Sequence, residues 1–466
     1  MTPPPSAPTI HRIARAIVDG ETTAVAVVTA HLDRCAAAQD ALNAFTMLDT
    51  EGALAAAAAI DARRAAGEAL GPLAGVPIGV KDIIDQAGLP NTCGGSFSPV
   101  IPTESAPCVT RLEAADAVMI GRTGLHEFAF GFSSENHWFG PVHNPWDTTL
   151  SPGGSSGGSG AAVAAGLVPG ALGTDTGGSV RVPAALCGVV GLKVTHGRIP
   201  IRGVYPLAAS IDTVGPIARS VADAGLLYRI MAGDDPTDPW SVPVPVEAAR
   251  GPAELSGLRF GVPLPWTAAP MVSEVRHAFD DLCAALTEAG AEVVEVPLPE
   301  LDLPGKLLPS VYFEVAAVHD NRWHDSPDAY GPNVSGRLAD VFAYTADDYL
   351  AALAWRRSCR AAADRALNSF DALITPTVAA LHKPIGQEVI EVAGREVSYR
   401  SPISYFTALV NHIGLPALAV PLNTPGAPPP SLQLIGPAWS EEALLSIGLA
   451  LEQASLVATQ EPPMFV

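Results

Sequence analysis

The chain has 466 residues, 48% of them hydrophobic and only 16% charged, and 48 acidic residues outnumber 27 basic ones for a net charge of -21. Such a composition excludes an intrinsically disordered chain, and its sign argues against direct binding to nucleic acid or to an anionic membrane surface. Length alone allows roughly two to four domains at about 150 residues each. Gly and Pro number 43 and 44 and are spread along the chain, which points to many tight turns rather than low complexity. Cys35, Cys93, Cys108, Cys187, Cys283 and Cys359 are scattered with no C-x-x-C pair. That pattern suits reduced thiols in the cytoplasm better than a disulfide framework. The first twenty residues hold three successive prolines and no apolar core, so no signal peptide is expected.

Residues 10–66 read as helical, with Ala-rich runs such as Ala53–Ala59. Leu73 to Val80 is an apolar run punctuated by Gly and Pro, and it predicts a buried strand ending at Lys81-Asp82. A helix over Val109–Ala117 and a buried strand from Val118 follow. The uncharged stretch Thr148–Thr174 is long enough to imitate a membrane span. It contains eight glycines and few large apolar residues, so it reads instead as a buried turn entering a small-residue helix at Ser159–Leu167, then a strand at Gly170–Gly173. Thr237–Pro252 is Pro-rich and irregular, read as a surface loop in preference to a linker between subdomains. Strands at Leu258–Val262 and Ala291–Val296 flank a helix at Ser273–Ala289, and a long helix spans Ala346–Phe370 before an apolar run at Ala372–Thr375. Strands alternating with helices define an α/β fold.

Two Gly-Ser clusters carry the chemistry: Ser151–Gly160 and Gly173–Arg181. A phosphate-binding P-loop would require Lys followed by Ser or Thr, and neither cluster has it. A dinucleotide fingerprint fails because Gly158-Ser-Gly160 runs on into Ala161, Ala162 and Val163. The α/β-hydrolase elbow matches formally at Gly153–Gly157, but the polar approach Pro145–Pro152 is no buried strand. In Thr176-Gly177-Gly178-Ser179, two residues without Cβ let backbone N–H groups converge beside a serine hydroxyl. Those are the parts of a nucleophile with an oxyanion hole. A serine needs a base, and of the histidines only His143 and His196 lie near in sequence. Lys81 is the other candidate, since burial can hold an amine neutral. On residues alone, a surface lysine and two tight turns stay an open alternative.

The chain resembles the amidase signature family, serine amidases with a Ser-Ser-Lys triad. The likeness is dense in Gly75–Asp82, Gly153–Ser159 and Gly173–Lys193, and returns weakly in Leu373–Thr377, Gly414–Pro421 and Leu432–Gly436. The spacings agree as well, with 74 residues from Lys81 to Ser155 and 24 from Ser155 to Ser179. The resemblance implies Ser179 as acyl-forming nucleophile, Ser155 as bridging serine preceded by a cis peptide from Gly154, and Lys81 as base. It implies an oxyanion hole from the N–H groups of Thr176, Gly177, Gly178 and Ser179 and orientation by Ser156; Asp175 and Arg181 also match family positions and are read as structural in preference to catalytic. It further implies one α/β domain over residues 1–466, a mixed sheet sandwiched by helices, with core motifs at 73–231 and a more variable substrate side at 237–376. The expected reaction is hydrolysis of a linear amide carbon–nitrogen bond through an acyl-enzyme. No metal or cofactor is implied, and His319 and His324 lack metal-ligand spacing.

Expected partners are a small amide-type substrate and no nucleic acid or membrane directly, with a homodimer allowed. The alternatives are the catalytic part of a tRNA-dependent amidotransferase, a carboxybiuret- or allophanate-type hydrolase, and a carbamate or aryl-amide hydrolase. Val182 stands where amidotransferase catalytic subunits commonly carry Gln, and Val194 where the family usually has Pro after Lys193. Leu307–Tyr349 is expected to complete the substrate pocket. The aromatic segment Phe128–Phe132 is expected to serve the core.

Overall fold

In the computed structural model, which describes residues 9–301 and 307–465, eleven strands hydrogen-bond into one mixed sheet. From edge to edge the order is Phe45–Leu48, Val118–Thr123, Pro77–Lys81, Gly170–Asp175, Thr213–Ala218 and Val190–Lys193, and then Ala417–Pro421, Ser431–Ile435, Ala372–Pro376, Arg259–Leu264 and Glu292–Pro297. Pro77–Lys81 runs parallel to both its neighbours, whereas the six strands from Gly170–Asp175 to Ala372–Pro376 pair antiparallel in succession. Strands 77–81, 118–123 and 170–175 are buried at every position. Covered on both faces, they read as apolar runs rather than alternating ones.

Helices begin where the sequence offers a cap. Thr23 accepts the Ala26 N–H, Ser220 accepts that of Asp223, and Thr345 with Asp348 forms a capping box. The helical reading of residues 10–66 needs one correction. Helices Ala24–Leu42 and Thr50–Ala65 are separated by the edge strand Phe45–Leu48, entered through Asn43 at φ 48°. Four residues between two Ala-rich helices leave no periodicity of their own. Strand pairing with Val118–Thr123, a tertiary event, decides their state. Thr237–Pro252 is irregular, held against the body by Arg198 donating to Val244 O and Pro245 O at 3.1 and 3.0 Å.

The uncharged stretch becomes the helix Gly157–Ala164, every residue of which is buried. No helix among the described residues is long and apolar enough to cross a membrane. Small residues are required by close approach: a Cβ on Gly158 would collide with Ala44 O and Gly124 N, both backbone atoms that cannot swing aside. Gly158→Ala should therefore destabilise the fold by about 3 kcal/mol, the cost of overpacking a tight core. Gly336, inside helix Pro332–Val341, has open space where a Cβ would go. Gly336→Ala should be neutral or stabilise by up to about 1 kcal/mol. Urea unfolding midpoints of the two variants check both signs.

Candidate active site

Lys81 is the last residue of a parallel strand, level with Thr123 at the carboxyl end of Val118–Thr123 and one position beyond the Val80–Leu172 pair on its other side. That edge is where α/β sheets place their ligands. Its side chain is fully buried, and Nζ donates to Ser155 Oγ at 2.8 Å and to Thr174 Oγ1 at 2.7 Å. Burial lowers the amine to about 7, although the carboxylates of Asp175 and Asp212 work in the opposite direction. A substantial neutral fraction therefore exists near pH 7. In that form the Ser155 hydroxyl can donate to Nζ along the same line.

The loop carrying Ser155 is fixed by its backbone. The Gly154–Ser155 peptide is cis. The Ser155 carbonyl accepts the His126 N–H at 3.0 Å and the Ser134 hydroxyl at 3.2 Å. Ser134 Oγ in turn accepts the Gly157 N–H at 3.0 Å, tying the loop to the helix that follows. Ser156 does not reach Lys81. Its hydroxyl donates to Thr174 O at 3.3 Å and accepts the Thr174 N–H at 3.2 Å, while its own N–H donates to Ser179 O at 3.3 Å.

Ser179 lies on the next loop, and its hydroxyl opens on a cavity of about 510 Å³ rather than pairing with Ser155. The loop is shaped by Asp175, whose carboxylate accepts the N–H groups of Gly178 (2.7 Å), Val180 (3.2 Å) and Arg181 (3.4 Å). Gly178 is thus already engaged and is not free to meet a substrate oxygen. The N–H groups of Thr176, Gly177 and Ser179 have no acceptor among the described residues. Burial acts to raise Asp175, but Arg181, Lys193 and Asn411 together hold it well below the usual carboxylate range. Asp212, which accepts the Thr176 hydroxyl at 2.6 Å, is instead pushed up to about 6 by burial.

The cavity walls correct one expectation. Phe128 packs in the core against Tyr205, His319 and Tyr330, but Phe130 and Phe132 face the cavity. The substrate-side region contributes mainly Leu307, Leu308, Val311, Tyr312 and Arg337, while Phe313 stacks on Tyr349 elsewhere. His143 and His196 bond to Thr148 O and Ala209 O, away from the cavity. His319 meets Tyr330 and His324 meets Asp320. Sequence reasoning missed Thr174, Arg337, Arg400 and His412. Thr174 lies inside the second Gly-Ser cluster, and the other three carry no local signal. His412, held between Ala408 O and Leu307 O, is lowered to about 4 by burial.

A family model described as Amidase matches residues 26–445, and the chain belongs to the amidase signature family. It is an enzyme acting on amide carbon–nitrogen bonds. It is 38% identical to a glutamyl-tRNA(Gln) amidotransferase subunit of Salinispora tropica, over 97% of each chain. Among solved structures it matches one described with a vestigial protein complex and the evolutionary origins of an s-triazine catabolic enzyme. The TM-score there is 0.91 at 36% identity, over 97% of this chain and 100% of that one. For the corresponding glutamyl-tRNA(Gln) amidotransferase subunit of Thermotoga maritima the TM-score is 0.78 at 29% identity, over 94% of each chain.

Asp175→Ala would leave the Arg181 guanidinium buried without its carboxylate and release three loop N–H groups. Breaking a buried pair on one side costs about 3–5 kcal/mol. The variant should show that loss in chemical denaturation.

Proposed function

We propose that this enzyme hydrolyses small amides through an acyl-enzyme on Ser179, with Ser155 and Lys81 relaying the proton. The observation that carries the reading is the 2.8 Å contact between a fully buried Lys81 Nζ and Ser155 Oγ, beside a second serine that opens on the cavity. Neutral Lys81 takes the Ser155 proton as Ser155 takes that of Ser179. Ser179 Oγ attacks the amide carbon, and the developing oxyanion is met by the N–H groups of Thr176, Gly177 and Ser179. The proton returns through Ser155 to the departing amine, and water then cleaves the ester by the same route in reverse. The Ser155–Ser179 step closes on substrate binding, as catalytic hydrogen bonds commonly tighten in the Michaelis complex. Ser156 and Asp175 hold the two loops.

This reading carries with it a cytoplasmic enzyme that needs no cofactor; the net charge of -21 argues against contact of its own with nucleic acid or an anionic membrane. The relatives named as amidotransferase subunits favour a second reading, in which the chain is one part of an assembly. The purified chain, assayed alone on amides, carbamates and ureas, separates the two. Turnover without partners supports hydrolysis, and strict dependence on added subunits supports the assembly.

Ser179→Ala should lower kcat by a factor on the order of 10⁶. Lys81→Ala and Ser155→Ala should each be severe and should not add, because the three act as a unit. Near-native turnover by Ser179→Ala on any substrate would sink the assignment.

The pH dependence follows from Lys81 at about 7. Because the base must be unprotonated, kcat/KM should rise with pH, reach half its plateau near 7, and level off above. Lys81→Ala should abolish that limb, whereas His143→Ala and His196→Ala should keep it. A limb centred several units lower and lost on His412→Gln would assign the base to His412 instead.

A further inference from the structure

The charge of the cavity runs against that of the chain. Among the described residues no acidic side chain lines the cavity, yet two guanidinium groups do, Arg337 and Arg400. The remaining lining is mostly apolar, including Phe130, Phe132, Leu207 and Tyr312. Arg337 sits in helix Pro332–Val341 with its guanidinium 4.3 Å from the Phe130 ring centroid. Its Nε donates to Asn333 O at 3.2 Å, and Nη2 to Asn333 Oδ1 at 2.9 Å and His126 Nε2 at 3.2 Å. These contacts fix the plane of the group and leave Nη1 with no acceptor among the described residues. His126 accepts from a group that can only donate, so its proton lies on Nδ1 and the imidazole is neutral. Burial and the charge of Arg337 both keep it so.

Arg400 approaches from the start of helix Arg400–Ser404, and its Nη2 lies 3.5 Å from the same Asn333 Oδ1. Its ion-pair partner is Glu388, at 3.4 Å and half exposed. Its Nε is buried without an acceptor. Two like charges thus converge on one amide oxygen at a cavity wall that has no carboxylate among the described residues. An arrangement that repels itself and holds unused donors is complementary to an anion, and the planar guanidinium fork fits a carboxylate.

We propose that the substrate carries a carboxylate, which Arg337 and Arg400 bind in the cavity onto which Ser179 opens. The apolar walls between would take a short hydrocarbon spacer. In treating the ligand as a substrate the inference rests on the amide-hydrolase reading, but its test does not depend on turnover. Burial and the neighbouring Arg400 lower Arg337 to about 10, so both groups remain charged at neutral pH.

The test is calorimetric binding to the Ser179→Ala protein, with two probe series at low ionic strength. One compares glutaramate with glutaramide, placing the charge on the acyl side. The other compares N-acetylglycine with N-acetylglycinamide, placing it on the amine side. In at least one series the acid should bind about 10- to 100-fold more tightly than its amide, the range for a hydrogen bond to a charged group. Arg400→Gln in the same background should remove most of that advantage. Arg337→Lys should reduce it while keeping the charge, because the lysine cannot reproduce the fork. Arg400 is partly exposed, so its variant carries the test if the buried Arg337 variant does not fold. Equal binding of acid and amide in both series, no measurable binding of either, or an advantage untouched by Arg400→Gln would each overturn the proposal. Loss of the serine route would show instead as Ser179-independent turnover, with the binding difference intact.

Discussion

The buried carboxylate of Asp175 is the junction on which the rest of the site depends. It ends the strand Gly170–Asp175, receives three N–H groups from the loop that follows, and pairs with the Arg181 guanidinium at 2.9 Å. Arg181 reaches onward to Asn411 and Gln433 at 2.6 Å each, residues from the far end of the chain. Asn411 closes the circuit by donating to Asp175 at 2.8 Å. A fully satisfied polar network of this kind costs little where a partly satisfied one would cost much, so it admits one arrangement of the loop. It also turns Gly178 inward, while its neighbours' N–H groups have no acceptor among the described residues.

A second constraint is the packing around Lys81. An ammonium group in that position would be expensive to desolvate, and the two hydroxyls it meets are neutral. The amine therefore titrates near neutrality because the sheet buries it, with Asp175 and Asp212 limiting how far it falls. Glycine makes the burial possible: at Gly154 a Cβ would come within 2.8 Å of the Ser133 and Ser134 backbone nitrogens. The serine loop can lie against the lysine only because its backbone is bare.

Much of this was legible in the order of residues. Lys81 at the end of an apolar strand, the two Gly-Ser clusters, and their spacing all lie in continuous runs whose backbone demands are local. The strand ends, the small-residue helix and the irregular stretch at 237–252 follow from the same kind of signal. Phe45–Leu48 was hidden because four residues between Ala-rich helices have no pattern of their own. Phe130 and Phe132 read as core because an aromatic side chain looks the same in sequence whether it faces packing or a cavity.

The sequence by itself determined the chemistry available: a lysine that burial can neutralise, serines on glycine-rich turns, and a family likeness carried by three spaced motifs. Tertiary structure alone decided which of those groups meet and what surrounds them. Arg337, Arg400 and His412 come from separate helices and share the wall with Phe130 and Ser179. No local rule links them, because a cavity is formed by what distant segments fail to fill, and that depends on how the eleven-stranded sheet orders them in space.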